Sequence, residues 1–254
     1  MRSADDWYDV IAAASEMSPQ AARQLVNLGF VVLPGPVIPG GCARLSEAYD
    51  RAVSTADPQD VSIRSSTRVS DFVSRGPEFD GIYVYGPVLA ACCRIIGRPF
   101  KLSTMLARTL EPGAPEQPLH VDVQREADGW PLVGFILMVD EFGPENGATR
   151  FVPGSHWLEK EPGDDARGGQ VLACGPAGSI ILFNGSVWHG HTANRSTGRR
   201  RSIQGAFIPR EARAAIDQAS RIRPETLGRI GDLARYVLDL QEPGHATEAN
   251  CGTA

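Results

Sequence analysis

A histidine and an aspartate near the middle of the chain have the types and spacing of metal ligands. His120 and Asp122 are separated by one residue, and on a β-strand the side chains of residues i and i+2 project to the same face. Both can therefore reach one ion. Two imidazoles and one carboxylate on one face of a divalent iron leave the other positions open for a cosubstrate and dioxygen. Because the H-x-D tripeptide is common by itself, this hypothesis requires a second histidine from a distant strand.

The other histidines of the sequence are the candidates for that third ligand. His245 lies in a polar C-terminal tail, and His156 ends a Pro-Gly-Ser-His turn, where a structural role is the better expectation. His189 and His191 remain, and they too share one face of a predicted strand. The spacing leaves both open as the ligand, and the other is expected to act as a hydrogen-bonding group beside the metal.

A run of three arginines follows these histidines. A 2-oxo diacid that chelates a metal through its keto-acid end leaves its far carboxylate in need of a partner, and the arginine fork binds a carboxylate through two hydrogen bonds. On a strand, Arg200 can face inward together with Ser202, whose hydroxyl can share the same carboxylate. Arg199 and Arg201 are then expected to face solvent or the outer layer.

The elements that position these residues are predicted to be strands. After Pro99 the sequence becomes a series of short apolar or alternating runs separated by Gly, Pro, Asn and Asp. This pattern is typical of an antiparallel sandwich or barrel. The predicted strands cover 100–110, 117–123, 132–140, 148–152, 170–173, 178–183, 187–192 and 200–208.

Helices are predicted on both sides of this β-core. The elements predicted before it are a helix over 18–29, a strand over 29–34, a helix over 39–55, a long loop over 57–80 and a short helix after Pro87. Residues 211–240 are predicted to be helical, and the polar tail from Gln241 is expected to fray. We therefore expect one domain, 1–254, that is mainly β with flanking α-helices: a helical part of about 1–98, a core of about 99–210 and C-terminal helices of about 211–240.

Composition excludes several classes of function. The net charge of −5 and the isoelectric point of about 5.6 argue against nucleic acid as a partner. No apolar run is long enough to span a bilayer, and the N-terminus does not resemble a secretory signal. The five cysteines include no C-x-x-C pair, so we expect reduced thiols in a cytoplasmic protein and no zinc–cysteine site.

Taken together in this order and spacing, the motifs resemble those of the phytanoyl-CoA dioxygenase family of iron(II)- and 2-oxoglutarate-dependent oxygenases. The segments that carry the resemblance are 29–35, Glu111-Pro112-Gly113, His120-Val121-Asp122, Asp140, the block from Glu145 to His156, Trp188-His189-Gly190, Asn194 and Arg200. In that family the distal ligand begins an H-G-x-x-x-N pattern and the cosubstrate arginine lies eleven positions after it. His189 matches both offsets and His191 matches neither, so the resemblance selects His189.

The resemblance implies a double-stranded β-helix, a cupin-like jelly-roll, for the core. It implies iron(II), 2-oxoglutarate and dioxygen as cofactor and cosubstrates, with ascorbate as a supporting reductant and with release of succinate and CO2. Gln117 and Thr149 match positions that contact 2-oxoglutarate in some relatives. Relatives that halogenate replace the carboxylate at the Asp122 position with a small residue, so its presence here favours hydroxylation.

The substrate is predicted only by class: a small or medium-sized free metabolite of natural-product or amino-acid type. Phe72, Trp130 and Phe135 are candidate contacts for an apolar group; candidates for an anionic group are Arg64, Arg68, Arg75 and Arg125. Desaturation, epimerisation and ring formation remain open as outcomes. A non-catalytic cupin-like binding protein and a zinc hydrolase with the same ligands are the alternative classes. Oligomeric state and the roles of His191 and of the 57–80 segment are left open.

Overall fold

Two antiparallel sheets make up the core of the computed structural model, which describes residues 2–14, 16–158, 160–163 and 169–240. The larger sheet has seven strands in the order β1-β8-β5-β10-β4-β3-β2, and the smaller has three in the order β7-β6-β9. The strands are β1 (Phe30–Pro34), β2 (Val61–Ile63), β3 (Thr67–Val69), β4 (Phe100–Leu110), β5 (Val133–Met138), β6 (Thr149–Phe151), β7 (Val171–Ala173), β8 (Ser179–Asn184), β9 (His189–His191) and β10 (Arg200–Pro209).

The helices lie before and after the core strands, as the sequence predicted. They are α1 (Ala4–Ala14), α2 (Pro19–Leu28), α3 (Gly41–Ser54), α4 (Gly86–Ile95), α5 (Gln218–Arg221), α6 (Pro224–Arg229) and α7 (Asp232–Val237). Helix α2 has the ends that its sequence indicates: the Ser18 hydroxyl accepts from the Ala21 N–H at 3.2 Å, and Gly29 ends the helix in the left-handed region. The prediction of a mainly β fold with flanking helices is confirmed.

The central strands are buried on both faces, and alternation assigns each side chain to one of two cores. In β5, Phe135 and Leu137 belong to the large core that the helices share with the sheet. Ile136 and Met138 point the other way, into a smaller core that also contains Phe151 of the opposite sheet. The space between the sheets therefore holds both a packed apolar region and, as described below, the candidate site.

Two segments differ from their predicted structure. Residues 117–123 were predicted as a strand, but they form a single isolated β-bridge with β9, at His120, together with a hydrogen bond from the Gln117 N–H to the His191 carbonyl at 2.9 Å. Residues 57–80 were predicted as a loop, but they contain β2, β3 and three short 3-10 turns. Their polar residues are held internally: the buried carboxylate of Asp60 accepts from Arg75 and Arg221, at 2.6 Å each.

The C-terminal region forms three short helices because Pro224 and Gly231 interrupt a continuous one. Ile230 and Val237 from this region are buried in the large core. The predicted fraying from Gln241 and the predicted exposure of His245 concern residues outside the described part of the chain. Within the described ranges, no helix is both long enough and apolar enough to cross a membrane.

One prediction follows from the close packing of β10 against the neighbouring strands β4 and β5. A Cβ added at Gly205 in β10 would lie 2.4 Å from the Phe135 ring and 2.8 Å from the Thr104 carbonyl oxygen. We expect Gly205→Ala to lower the free energy of unfolding by about 1–3 kcal/mol, because the ring and strand have to shift. Chemical denaturation measures this change. Gly81→Ala is the control, since its added methyl group meets no atom within 4 Å; an equal loss in both variants would contradict the packing argument.

Candidate metal and cosubstrate site

Three side chains converge at one end of the space between the sheets. His120 Nε2 lies 3.8 Å from Asp122 Oδ1, and His189 Nε2 lies 3.8 Å from Asp122 Oδ2. One donor atom from each residue lies within 4.8 Å of the other two. Two neutral imidazoles and one carboxylate at these separations fit a mononuclear divalent metal such as iron, which they would hold on one face.

Backbone hydrogen bonds bring the two histidines together. The N–H of His120 donates to the carbonyl of His189, and the reverse bond is also made, each at 3.0 Å. Gly190 lies directly beneath this crossing, because a Cβ there would be 2.8 Å from the Gln117 oxygen and 2.9 Å from the Pro118 oxygen. The glycine that follows the distal histidine therefore has a steric function: it lets the segment that carries His120 cross β9.

Hydrogen bonding presents the same nitrogen of each histidine to the metal position. Nδ1 of His120 lies 3.1 Å from the Pro118 carbonyl, and Nδ1 of His189 lies 2.9 Å from the Val187 carbonyl. A carbonyl only accepts, so Nδ1 carries the proton in the neutral ring and Nε2 carries the lone pair that can bind a metal. Burial lowers the pKa of His189, which favours this neutral form. The side chains of His120 and Asp122 are 34% and 36% exposed, so the site opens on their side.

Arg200 is fully buried at the wall of a cavity that the three candidate ligands also border, and no described acidic residue forms an ion pair with it. Its Nη2 donates to the Gly147 carbonyl at 2.8 Å, its Nη1 donates to the Ser202 hydroxyl at 3.2 Å, and its Nε has no hydrogen-bonding partner in the described part of the chain. The guanidinium lies over the Phe142 ring at 4.3 Å. Burial, reinforced by Arg108, lowers the pKa of Arg200 to about 9. A buried cation without a counterion is costly, and a ligand carboxylate would remove that cost.

Asn194 fixes the shape of the chain around Arg200. It is fully buried, and its Nδ2 donates to the carbonyls of Leu110 and Gly198 at 3.1 and 2.9 Å. Its backbone N–H donates to the Ala114 carbonyl at 3.0 Å. These bonds join the end of β4 to the start of β10. The asparagine of the closing motif thus has a structural role that the sequence did not assign.

His156 contributes to structure, as its turn suggested. The ring Nε2 donates to the Val26 carbonyl at 2.9 Å, and the neighbouring Ser155 hydroxyl accepts from the Trp188 N–H at 2.8 Å. The Pro153–His156 turn therefore connects helix α2 with the residue just before β9. It positions His189 without touching the metal position.

A cavity of about 330 Å³ connects the triad to Arg200. Gln117 borders it, with Nε2 3.3 Å from His120 Nε2 and Oε1 accepting from Arg108 Nη2 at 3.3 Å. Thr149 borders it from β6, in register with His191 on β9. Ser202 lies behind the cavity wall, where its hydroxyl accepts from Arg200.

Of the three aromatic residues predicted to contact an apolar substrate group, one borders the cavity and two do not. Phe135 borders the cavity, although its buried ring packs against Phe207 on the helical side of the sheet. Phe72 lies in the helical core with its ring centroid 4.7 Å from that of Phe79. Trp130 packs edge-on against the aromatic ring of Trp157 at 4.6 Å. The structure brings neither Phe72 nor Trp130 to the cavity wall.

Sequence reasoning missed most of the apolar wall. It is formed by residues that face the space between the sheets: Leu106, Leu132, Ile136, Phe183 and Ala206. Side-chain alternation along β4 and β10 could have identified two of these residues. Leu106 lies on the same strand face as Arg108, and Ala206 lies on the same strand face as Arg200.

His191 also faces the cavity, outside the group of three ligand residues. Its Nδ1 donates to the Thr192 carbonyl at 2.9 Å, and its Nε2 is buried with no hydrogen-bonding partner among the described residues. Burial, together with the nearby charges of Arg108, Arg200 and Arg150, lowers the pKa of His191 to about 4. The ring is therefore neutral near neutral pH and offers one acceptor to the cavity.

The fold and the site together define a jelly-roll protein with a centre of two histidines and one carboxylate. A model of the phytanoyl-CoA dioxygenase family matches residues 26–202, and the chain belongs to this family. It is accordingly a dioxygenase that depends on iron(II) and 2-oxoglutarate.

Individual relatives agree with this assignment. The multifunctional dioxygenase prhA of Penicillium brasilianum is 31% identical over 213 residues, which cover 73% of this chain and 70% of that protein. The dioxygenase andF of Emericella variicolor is 36% identical over 108 residues, covering 39% of this chain and 38% of that protein. The crystal structure of HygX from Streptomyces hygroscopicus, with nickel and 2-oxoglutarate bound, has a TM-score of 0.64 at 16% identity and covers 78% of this chain and 89% of that one. This last likeness confirms the double-stranded β-helix.

The proposed steric function of Gly190, which lets the segment with His120 cross β9, can be tested by measuring metal binding. In Gly190→Ala the new methyl group would displace the Gln117–Pro118 backbone and with it His120, so we expect metal affinity to fall roughly tenfold or more. Anaerobic titration with cobalt(II), followed by absorbance, measures this affinity. Gly143→Ala serves as the control because its added methyl group meets no atom within 4 Å. Unchanged affinity in the Gly190 variant would show that the crossing is not needed to position the ligand.

Proposed function

We propose that His120, Asp122 and His189 hold iron(II), that Arg200 binds the C5 carboxylate of 2-oxoglutarate, and that the enzyme hydroxylates a small or medium-sized free metabolite of natural-product or amino-acid type. The observation that carries this proposal is the burial of Arg200. This guanidinium has no exposed surface, and among the described residues it has no acidic partner and no acceptor for its Nε; it borders the same cavity as the three proposed ligands. A diacid that reaches from the metal to this arginine accounts for both features.

The protein's own groups have separate tasks in this reaction. Bound iron(II) would supply the activation of dioxygen that oxidises the cosubstrate and the substrate. Around it, the carbonyls of Pro118 and Val187 hold both imidazoles with Nε2 toward the metal. The rings of Phe151 and Phe183 lie against His189, with centroids 5.7 and 4.8 Å away, and exclude water from the buried side of the centre.

Arg200 is fixed before any ligand binds. Its two hydrogen bonds to Gly147 and Ser202 hold the guanidinium plane, and the ring of Phe142 supports one face. Little side-chain entropy is then lost when a carboxylate binds. Gln117 and Thr149 border the same cavity and are proposed to contact the cosubstrate between the metal and Arg200.

The substrate side of the cavity is mostly apolar. Leu106, Leu132, Ile136 and Phe183 border it, which favours a substrate whose reacting carbon belongs to a hydrocarbon part of the molecule. The carboxylate of Asp122 occupies the position that a halide would need, so the proposed outcome is hydroxylation. Mass spectrometry of the product separates this outcome, a gain of one oxygen, from desaturation or ring formation, a loss of two hydrogens.

The cosubstrate assignment is tested with two neighbouring arginines. Arg200→Met removes the buried guanidinium, and we expect the KM for 2-oxoglutarate to rise roughly ten- to a hundredfold, because a charged hydrogen-bonding partner is lost. Arg199→Met is the matched control, since Arg199 is exposed. Succinate release under air, with iron(II) and ascorbate, gives both KM values. Equal values for the two variants would refute the role of Arg200.

Metal dependence separates the oxygenase from a zinc hydrolase. We expect a chelator to abolish succinate release and iron(II) to restore it in full, whereas zinc(II) should not, because zinc has no accessible redox change. His120→Ala should show no restoration at the same iron concentration. Restoration by zinc(II), or turnover that persists without oxygen, would contradict the proposed function.

A further inference from the structure

The cavity contains more positive charge than the proposed reaction uses. Of the residues that the structure describes, three arginines border it, Arg68, Arg108 and Arg200, and one carboxylate does, that of Asp122. Among the described residues, none of these arginines forms an ion pair. Iron(II) would be balanced by Asp122 and by one carboxylate of 2-oxoglutarate, and Arg200 by the other. Arg68 and Arg108 would remain without a counterion.

These two arginines lie opposite each other on neighbouring strands. Arg68 of β3 and Arg108 of β4 are Cα partners in the antiparallel register, so their side chains leave the sheet on the same face, toward the cavity. Like charges directly opposite one another destabilise a sheet. Burial and the nearby charge of Arg68 together lower the pKa of Arg108 to about 10, and the more weakly acting charge of Asp122 offsets this only in part. The arrangement is costly unless an anion lies between the two guanidinium groups.

Arg108 is held in place as a fixed binding group. Its Nε donates to the hydroxyl of Ser66 at 3.1 Å, and its Nη2 donates to Oε1 of Gln117 at 3.3 Å. Both Arg108 and Ser66 are buried, at 7% and 5% exposure. Arg68 lies at the more open side, and its side chain has no hydrogen-bonding partner among the described residues. One fixed and one adjustable guanidinium can together bind the two oxygens of a carboxylate.

The surroundings indicate what kind of molecule carries that carboxylate. Leu106 precedes Arg108 by two residues on the same strand face, and Leu132, Phe183 and Ala206 complete an apolar wall. We propose that Arg68 and Arg108 form a second carboxylate site, and that the primary substrate is a mainly apolar carboxylic acid whose acidic group binds there. This inference rests on the proposed function, because it assigns the first carboxylate site to 2-oxoglutarate.

The test compares acids with their esters on the anaerobic protein loaded with iron(II) and 2-oxoglutarate. The probes are cinnamate, 4-phenylbutyrate and geranate, each beside its uncharged methyl ester, and isothermal titration calorimetry gives the Kd. We expect at least one acid to bind more tightly than its ester. Arg68→Gln and Arg108→Gln should each raise the Kd of that acid roughly ten- to a hundredfold. The control is Arg64→Gln, because Arg64 lies in the exposed turn of the same hairpin. This variant should change the Kd of that acid by less than about threefold.

The C1 carboxylate of 2-oxoglutarate could also bind between Arg68 and Arg108. The Kd of 2-oxoglutarate is therefore measured in the same variants. If Arg68→Gln and Arg108→Gln weaken 2-oxoglutarate as much as Arg200→Met does, the pair serves the cosubstrate and the inference is wrong. It is also wrong if every ester binds as tightly as its acid, or if no acid binds. Failure of the proposed function is distinguishable, because the unaltered protein would then not bind 2-oxoglutarate in an Arg200-dependent way. Arg68 is only half-buried, so its variant supplies the result if Arg108→Gln does not fold.

Discussion

The candidate site depends on the pair of backbone hydrogen bonds between His120 and His189. These bonds join a segment without regular structure to the edge strand of the smaller sheet, and they set the two imidazoles side by side, with ring centroids 4.4 Å apart. Asp122 is held beside the two histidines because its own N–H donates to the Gly185 carbonyl at 2.9 Å. Gly190 permits the crossing by presenting no side chain. The geometry of the centre is therefore fixed mainly by backbone contacts, which do not depend on the flexibility of long side chains.

Around that centre, the protein tolerates buried charge that it does not neutralise itself. Arg200 is enclosed by a carbonyl, a hydroxyl and an aromatic face, each of which stabilises a cation only partly. The acids that could have paired with arginines are used elsewhere: Asp140 binds Arg201 at 2.7 Å, and Asp60 binds Arg75. Among the described residues, these two structural arginines thus have acidic partners, whereas the arginines that border the cavity form no ion pair. This difference is a physical criterion for separating ligand-binding arginines from structural ones.

Much of the fold could be predicted because its signals are local. The alternating runs that became β4 and β10, the apolar runs that became β5 and β8, and the Ser18 and Gly29 ends of α2 were each readable within a short window. The prediction failed where pairing is decided at long range. Residues 117–123 have strand-like composition but form a single β-bridge with β9. In the polar stretch 57–80, β3 forms because the edge of β4 is available to it, and β2 then pairs with β3.

The sequence by itself determined the family and pointed to the proposed site residues: His120, Asp122, His189 and Arg200 were selected because their order and offsets follow a family pattern, which also favoured His189 over His191. The tertiary structure alone decided what surrounds them. It placed Phe72 and Trp130 away from the cavity wall, brought Leu106 and Phe183 to it, and set Arg68 opposite Arg108. The physical reason is that ligand identity is a property of single residues at given spacings. A cavity wall, by contrast, is a property of strand register, which follows from hydrogen bonds between segments far apart in the chain.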